Sequence, residues 1–222
     1  MQGDETAAKV WDLPTRIFHW AIVVAFLVSW RTAEAGNMEW HYFSGIVALG
    51  LILFRLLWGV IGGSTARFSQ FLSSPSNVMR YLRGPSSTDR QAGHNPLGGY
   101  SVVAMLSLLS LQVGTGLFSV DIDGLESGPL SFLVSFEQGR AAAEIHEASF
   151  NALAVLIGLH VLAILYYRFR HGRRLTKPMI VGTDRQLPTG AAELKPVPFY
   201  RFVIAAVICV ALAVWVDRGF FL

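Results

Sequence analysis

Four histidines in apolar surroundings set the chemical question. His146 and His160 both stand in the stretch EIHEASFNALAVLIGLHVLAILYYRF, which begins at Glu144 and ends at Phe169. At 3.6 residues per turn their separation is just under four turns, so both rings point to nearly one side, about 21 Å apart along the axis. Imidazole is costly to place in lipid unless something binds it. His19 and His41 lie in two other apolar stretches, IFHWAIVVAFLVSW and WHYFSGIVALGLILFRLLWGVIGG. By depth, His41 falls with His146 and His19 with His160. Two imidazoles from two helices can fill both axial positions of a haem iron, which suits electron transfer rather than oxygen binding. CxxCH is absent, so such groups would be non-covalent haem b, two in number, stacked as an electron path across a membrane. Two blander readings stand beside this one: hydrogen-bonded packing histidines, and a proton relay in a transporter. Carboxylates are scarce in the apolar stretches, which counts against the relay.

The elements that must position these rings are legible from composition. Hydrophobic residues make up 53% of the 222-residue chain and charged residues only 15%, where soluble domains carry about a quarter charged. This is an integral membrane protein. Five stretches are long enough to cross about 30 Å of hydrocarbon: 14–33, 39–62, 97–120, 144–169 and 199–216. Asp12 caps the first, with Pro14 in its first turn. TAEAG after that run mimics a signal cleavage site; because the run is long and holds His19, it is expected to stay as a helix. The stretches GPSSTDRQAGHNPLGG and TDRQLPTGAAELKPVP read as turn-rich linkers. Cys209 is the one cysteine and sits in an apolar run, so there is no disulfide framework.

Most of the eighteen Lys and Arg fall on one side. They include Arg67, Arg80, Arg83, Arg90, Arg168, Arg170, Arg173, Arg174 and Lys177. The other side holds Arg31, Arg140 and Arg218 among the acids Asp121, Asp123, Glu126, Glu137 and Glu144. The positive-inside rule makes the basic side cytoplasmic, with the N-terminus inside and the C-terminus periplasmic. The acidic outer loop DIDGLESGPLSFLVSFEQGR reads as a solvated loop with one amphipathic stretch. It also offers charge complementarity to a basic redox protein.

Other residues divide between function and packing. Arg55 follows His41 on the same helical face, where it serves either as a partner for a haem propionate or as a side chain snorkelling to the headgroups. Arg16, one turn from His19, offers the same two roles. His94 and His171 read as loop residues, His94 with a position near the inner haem as the alternative. Gly114 and Gly116 in QVGTGLF, with Gly45 and Gly50, allow close approach of a helix or a flat macrocycle. Trp20, Trp30, Trp40 and Trp58 read mostly as an interfacial aromatic belt.

The motifs VWDLPTRIFHW, MEWHYFSG, RLLWG, GHNPLGG and the paired IHE and GLHVLAILYYRF resemble the bacterial cytochrome b561 family, the superfamily that includes the b-type cytochrome subunit of nickel–iron hydrogenases. The likeness covers residues 8–182. It implies an all-α transmembrane four-helix bundle holding two b haems, with axial positions matching His19, His41, His146 and His160. Residues 183–222 would then supply a linker and a fifth, C-terminal transmembrane helix. The resemblance further implies a multi-pass protein of the bacterial inner membrane. It would exchange electrons between membrane quinone and a redox partner, either a soluble periplasmic cytochrome c or a dehydrogenase- or hydrogenase-like subunit. Some relatives oxidise superoxide and reduce ubiquinone; here the acidic outer face makes a poor funnel for an anion. Lipid is a partner by composition, and no nucleic-acid partner is expected.

Overall fold

The computed structural model describes residues 7–84, 93–123, 126–187 and 194–221. Five helices among them are long and apolar enough to cross a membrane. These are α1 (Leu13–Glu34), α2 (Met38–Ile61), α5 (Pro96–Phe118), α6 (Phe136–His171) and α8 (Phe199–Asp217). Short helices α3 (Phe68–Phe71) and α4 (Pro75–Arg83) follow α2, and α7 (Thr176–Val181) follows the basic end of α6. Strands β1 (Ala8–Lys9) and β2 (Thr183–Asp184) pair antiparallel. Large apolar side chains face outward along the long helices, among them Val60, Val155, Phe169 and Val207. In water that surface would be a severe cost, whereas lipid accepts it, and helices satisfy their own backbone there. The chain is thus an all-α, multi-pass membrane protein. Arg90 and part of each turn-rich linker lie outside the described residues.

The first of two compact units comprises Met1–Ile17, Leu56–Ala104 and Gly158–Phe202. The β1 segment ties it together. Val10 and Trp11 both donate their backbone N–H to the Gly182 carbonyl, at 2.9 and 3.1 Å, and Leu194 N–H donates to Lys9 O. Thr65 Oγ1 donates to Val10 O at 2.7 Å. Asp12 acts twice. One carboxylate oxygen caps α1 by accepting Thr15 N–H at 2.8 Å, and the other accepts the Trp58 indole N–H at 3.0 Å. Trp58 is therefore a core residue, 1% exposed, and not part of an interfacial belt, whereas Trp20, Trp30 and Trp40 are exposed. Tyr81, Tyr167 and Asn95 close a hydrogen-bonded triangle of 2.7, 3.1 and 3.1 Å.

The second unit comprises Phe18–Arg55, Met105–Ile157 and Val203–Leu222. Gly36 turns the chain between α1 and α2 with φ of 67°, a left-handed conformation that glycine adopts without steric cost. Asn37 then caps α2. Phe26 stacks on Phe150 with centroids 5.9 Å apart. In α8 the buried residues are Ala205, Cys209 and Ala213, a stripe at four-residue spacing that lies on one helical face. Gly50 meets it: a Cβ there would stand 3.5 Å from Ala213 Cβ. The fifth helix thus packs on α2 through small residues.

Helix α6 is longer than the sequence reading places it, starting at Phe136 rather than near Glu144. The reason is a reciprocal cap in SFEQ. Gln138 N–H donates to Ser135 Oγ and Ser135 N–H donates to Gln138 Oε1, at 3.2 and 2.9 Å. Both orphan donors are satisfied, as in a capping box. Residues 136–140, which the sequence places in a loop, are helical for that reason. The rest of the loop folds back on the end of α5: Leu130 N–H donates to Leu117 O, and Arg140 Nη1 to Val120 O at 3.0 Å. Tyr42 OH closes onto Glu126 at 2.9 Å.

Candidate functional site

His41 sits in the first turn of α2, where the Asn37 cap fixes it. Its Nδ1 lies 3.0 Å from the Ser29 main-chain carbonyl on α1. A carbonyl only accepts, so Nδ1 carries the proton and Nε2 keeps its lone pair. Ser29 and Ser44 hydroxyls bond at 2.7 Å beside it and hold α1 to α2.

His146 lies in α6 three turns after the Ser135 cap. Its Nδ1–H donates to the Gln112 carbonyl on α5 at 2.7 Å. That carbonyl belongs to a helix, but a carbonyl oxygen has two lone pairs and can take a second donor. The approach demands glycine one turn on: a Cβ at Gly116 would stand 2.9 Å from His146 Cε1 and 3.0 Å from Nδ1. Gly114, by contrast, has open space around its Cβ position. The Gln112 side chain wraps the same ring. Its amide N–H donates to His146 Nε2 at 3.0 Å, and its Oε1 accepts from the hydroxyl of Ser149, which is buried.

The two rings belong to one unit, with centroids 6.0 Å apart and planes at 86°. An imidazole nitrogen binds a first-row metal at about 2 Å, so rings on opposite faces of one iron have centroids about 6 Å apart. In both rings a backbone carbonyl holds Nδ1–H, the usual way a protein fixes a ligating histidine's tautomer. Among the described residues no three His, Cys, Asp or Glu converge on a point. Two imidazoles alone suit a macrocycle that brings its own four equatorial donors. The residues therefore fit a haem, with one adjustment: ligation by His146 Nε2 requires the Gln112 amide to release it.

The remaining sequence candidates are distributed as follows. His19 belongs to the second unit and His160 to the first; both are half-buried, and His19 meets Trp20 edge-on at 5.0 Å. Arg55 is 3% exposed, so it lies inside the protein rather than among headgroups, and snorkelling is set aside. Arg16 donates through Nη1 to the Ile180 carbonyl, bracing the start of α1 on the end of α7. His94 is held between Trp11 and Phe71, 4.7 Å from each ring centre, and His171 packs on Tyr166 and Tyr167.

Sequence reasoning missed Gln112 and Ser149. Ser149 lies three residues after His146, on the ring's own face, which is a usable local signal. Gln112, one turn before Gly116, has the one amide side chain of a helix whose other polar groups are hydroxyls, which is a weaker one.

A family model described as prokaryotic cytochrome b561 matches residues 10–182. Neither a curated protein nor a solved structure matches the chain.

Proposed function

Because the chain belongs to the prokaryotic cytochrome b561 family, whose members transfer electrons across membranes through b-type haem, we propose that it does so through two b haems. His41 and His146 would hold one, and His19 and His160 the other. The observation that carries the reading is the His41–His146 pair: 6.0 Å between ring centres, with each Nδ1 engaged by a main-chain carbonyl. The second pair rests on its matching depth along the helices and on the family's ligand pattern. Residues 8–182 would form the haem-bearing part, with 183–222 adding a linker and α8.

The haem supplies the one-electron chemistry when bound; the protein supplies ligands, orientation and exclusion of water. Ser29 and Gln112 carbonyls hold the rings in the tautomer that keeps the lone pair on Nε2. Gly116 lets the His146 ring lie against α5. The Gln112 amide, held here by Ser149 and by His146 Nε2, would swing off Nε2 when the haem binds. Arg55 is buried on the His41 helix and suits a propionate, whose negative charge would offset its own. Arg16 is a weaker candidate because its guanidinium already braces Ile180.

Electrons would pass between membrane quinone and a redox partner, a periplasmic cytochrome c or a dehydrogenase- or hydrogenase-like subunit. The basic ends of the helices would face the cytoplasm of a bacterial inner membrane. Counting haem per chain by pyridine haemochromogen in the wild type and in His41→Ala tests the central point. Two b haems falling to one supports the paired sites; an unchanged count removes His41 from the ligand set, and a haem-free wild type refutes the proposal.

A further inference from the structure

A cleft of about 410 Å³ opens between the C-terminal end of α6 and α7, within the first unit. Its walls are of two kinds. Ile164, Ile180 and Val181 make it greasy; Arg168, Arg174 and Lys177 make it cationic. No acidic side chain lines it. The nearby carboxylate of Asp184 is already engaged, 3.0 Å from Arg173. Arg173 also donates to the Gln186 carbonyl at 2.8 Å, so both groups are held together, Asp184 in an adjoining hollow that shares Arg174 and Lys177. Among the described residues, Arg168, Arg174 and Lys177 have no ion-pair partner.

The order of the two walls follows depth. Ile164 and Arg168 are one turn apart on one face of α6. The apolar run of α6 ends at Tyr167, and the charges begin at Arg168. The helix has 36 residues, about 54 Å, so it reaches well past a hydrocarbon core of about 30 Å. The transition from Ile164 to Arg168 therefore marks the level where acyl chains give way to phosphates. On α7, Lys177 with Ile180 and Val181 repeats the pairing at three- and four-residue spacing.

We propose that this cleft binds one anionic glycerophospholipid. Its phosphodiester would sit among Arg168, Arg174 and Lys177, and an acyl chain would lie on Ile164, Ile180 and Val181. Charge and apolarity together select this occupant. A free phosphate has no use for the apolar wall, and a zwitterionic lipid brings an ammonium group to a site with three cations. Arginine forks match phosphate oxygens, and each basic group near an anionic surface is worth about a fivefold gain in binding. The inference is independent of the haem assignment.

The test uses full-length, delipidated protein in neutral detergent. Native mass spectrometry and thermal unfolding would be followed with phosphatidylglycerol, phosphatidylcholine and inorganic phosphate as separate probes. One phosphatidylglycerol per chain should be retained and should raise the unfolding temperature, with phosphatidylcholine and phosphate giving neither. Arg168→Gln/Arg174→Gln/Lys177→Gln should lose affinity on the order of 100-fold. A control triple, Arg80→Gln/Arg83→Gln/Arg201→Gln, removes the same charge elsewhere and should lose less than about fivefold. Equal losses in the two triples would overturn the site in favour of a diffuse surface potential. Full competition by inorganic phosphate would overturn it as a lipid site, and so would equal retention of phosphatidylcholine. If the first triple does not fold, as judged by circular dichroism, Lys177→Gln alone and the wild-type lipid preference still decide the matter.

Discussion

Gly116→Ala tests the seat of His146 most directly. The new methyl would stand 2.9 Å from Cε1 and 3.0 Å from Nδ1 of the imidazole. Carbon contacts are comfortable at about 3.5 Å or more, so the ring must retreat by at least about 0.5 Å. The Nδ1–H bond to Gln112 O, now 2.7 Å, would stretch to about the 3.2 Å limit of a good hydrogen bond. Losing it costs about 1 kcal/mol. For a metal ligand, disturbing such an outer partner lowers affinity about 10- to 100-fold. A hydrogen-bonded Nδ1 makes imidazole a stronger electron donor and favours oxidised iron, so the affected haem should gain in potential. Each tenfold change in the ratio of oxidised to reduced affinity corresponds to about 59 mV for one electron, and a rise of tens of millivolts is expected. The assay is haem content by pyridine haemochromogen, joined to a potentiometric titration of the Soret and α bands. Gly114→Ala supplies the control, because nothing lies within 4 Å of its Cβ position. That variant should keep both haems and gain up to about 1 kcal/mol in helix stability from the lost glycine. Identical haem content and potentials in the two variants would refute the seating of His146 on α5.

Other parts of the structure make separate predictions. Asp12→Ala should destabilise the protein by about 2 kcal/mol, one for the lost cap and one for the unpaired indole of Trp58; thermal unfolding measures this, and a change below about 0.5 kcal/mol would mean that the cap and the indole bond contribute little. Gly50→Leu should part α8 from α2, since even a Cβ there already meets Ala213 at 3.5 Å. Cys209, 3% exposed, reports on this contact: maleimide labelling should be slow in the wild type and several-fold faster in the variant, and equal rates would place the α2–α8 contact elsewhere. Tyr167→Phe removes a hydroxyl shared with Tyr81 and Asn95 and should cost about 1 kcal/mol of thermal stability.

What the sequence alone determined is local in origin. The five membrane spans follow from apolar runs of sufficient length. The Asp12 cap follows from a carboxylate beside the donors it satisfies. His146 and His160 share a face because one helix carries both, and the family likeness lies in short motifs around the histidines. Even the early start of α6 was written locally, in the SFEQ box. The tertiary structure decided what depends on residues far apart in the chain. Gln112 reaches His146 across 34 positions, Trp58 reaches Asp12 across 46, and Arg16 reaches Ile180 across 164. Gly114 and Gly116 look alike as letters in an apolar run; only the neighbouring helix makes one a seat for an imidazole and leaves the other open. Trp58 and Arg55 resemble interface residues by type, yet packing buries both. Helical periodicity gives each side chain a direction along its own axis, but the group it meets depends on how the helices assemble.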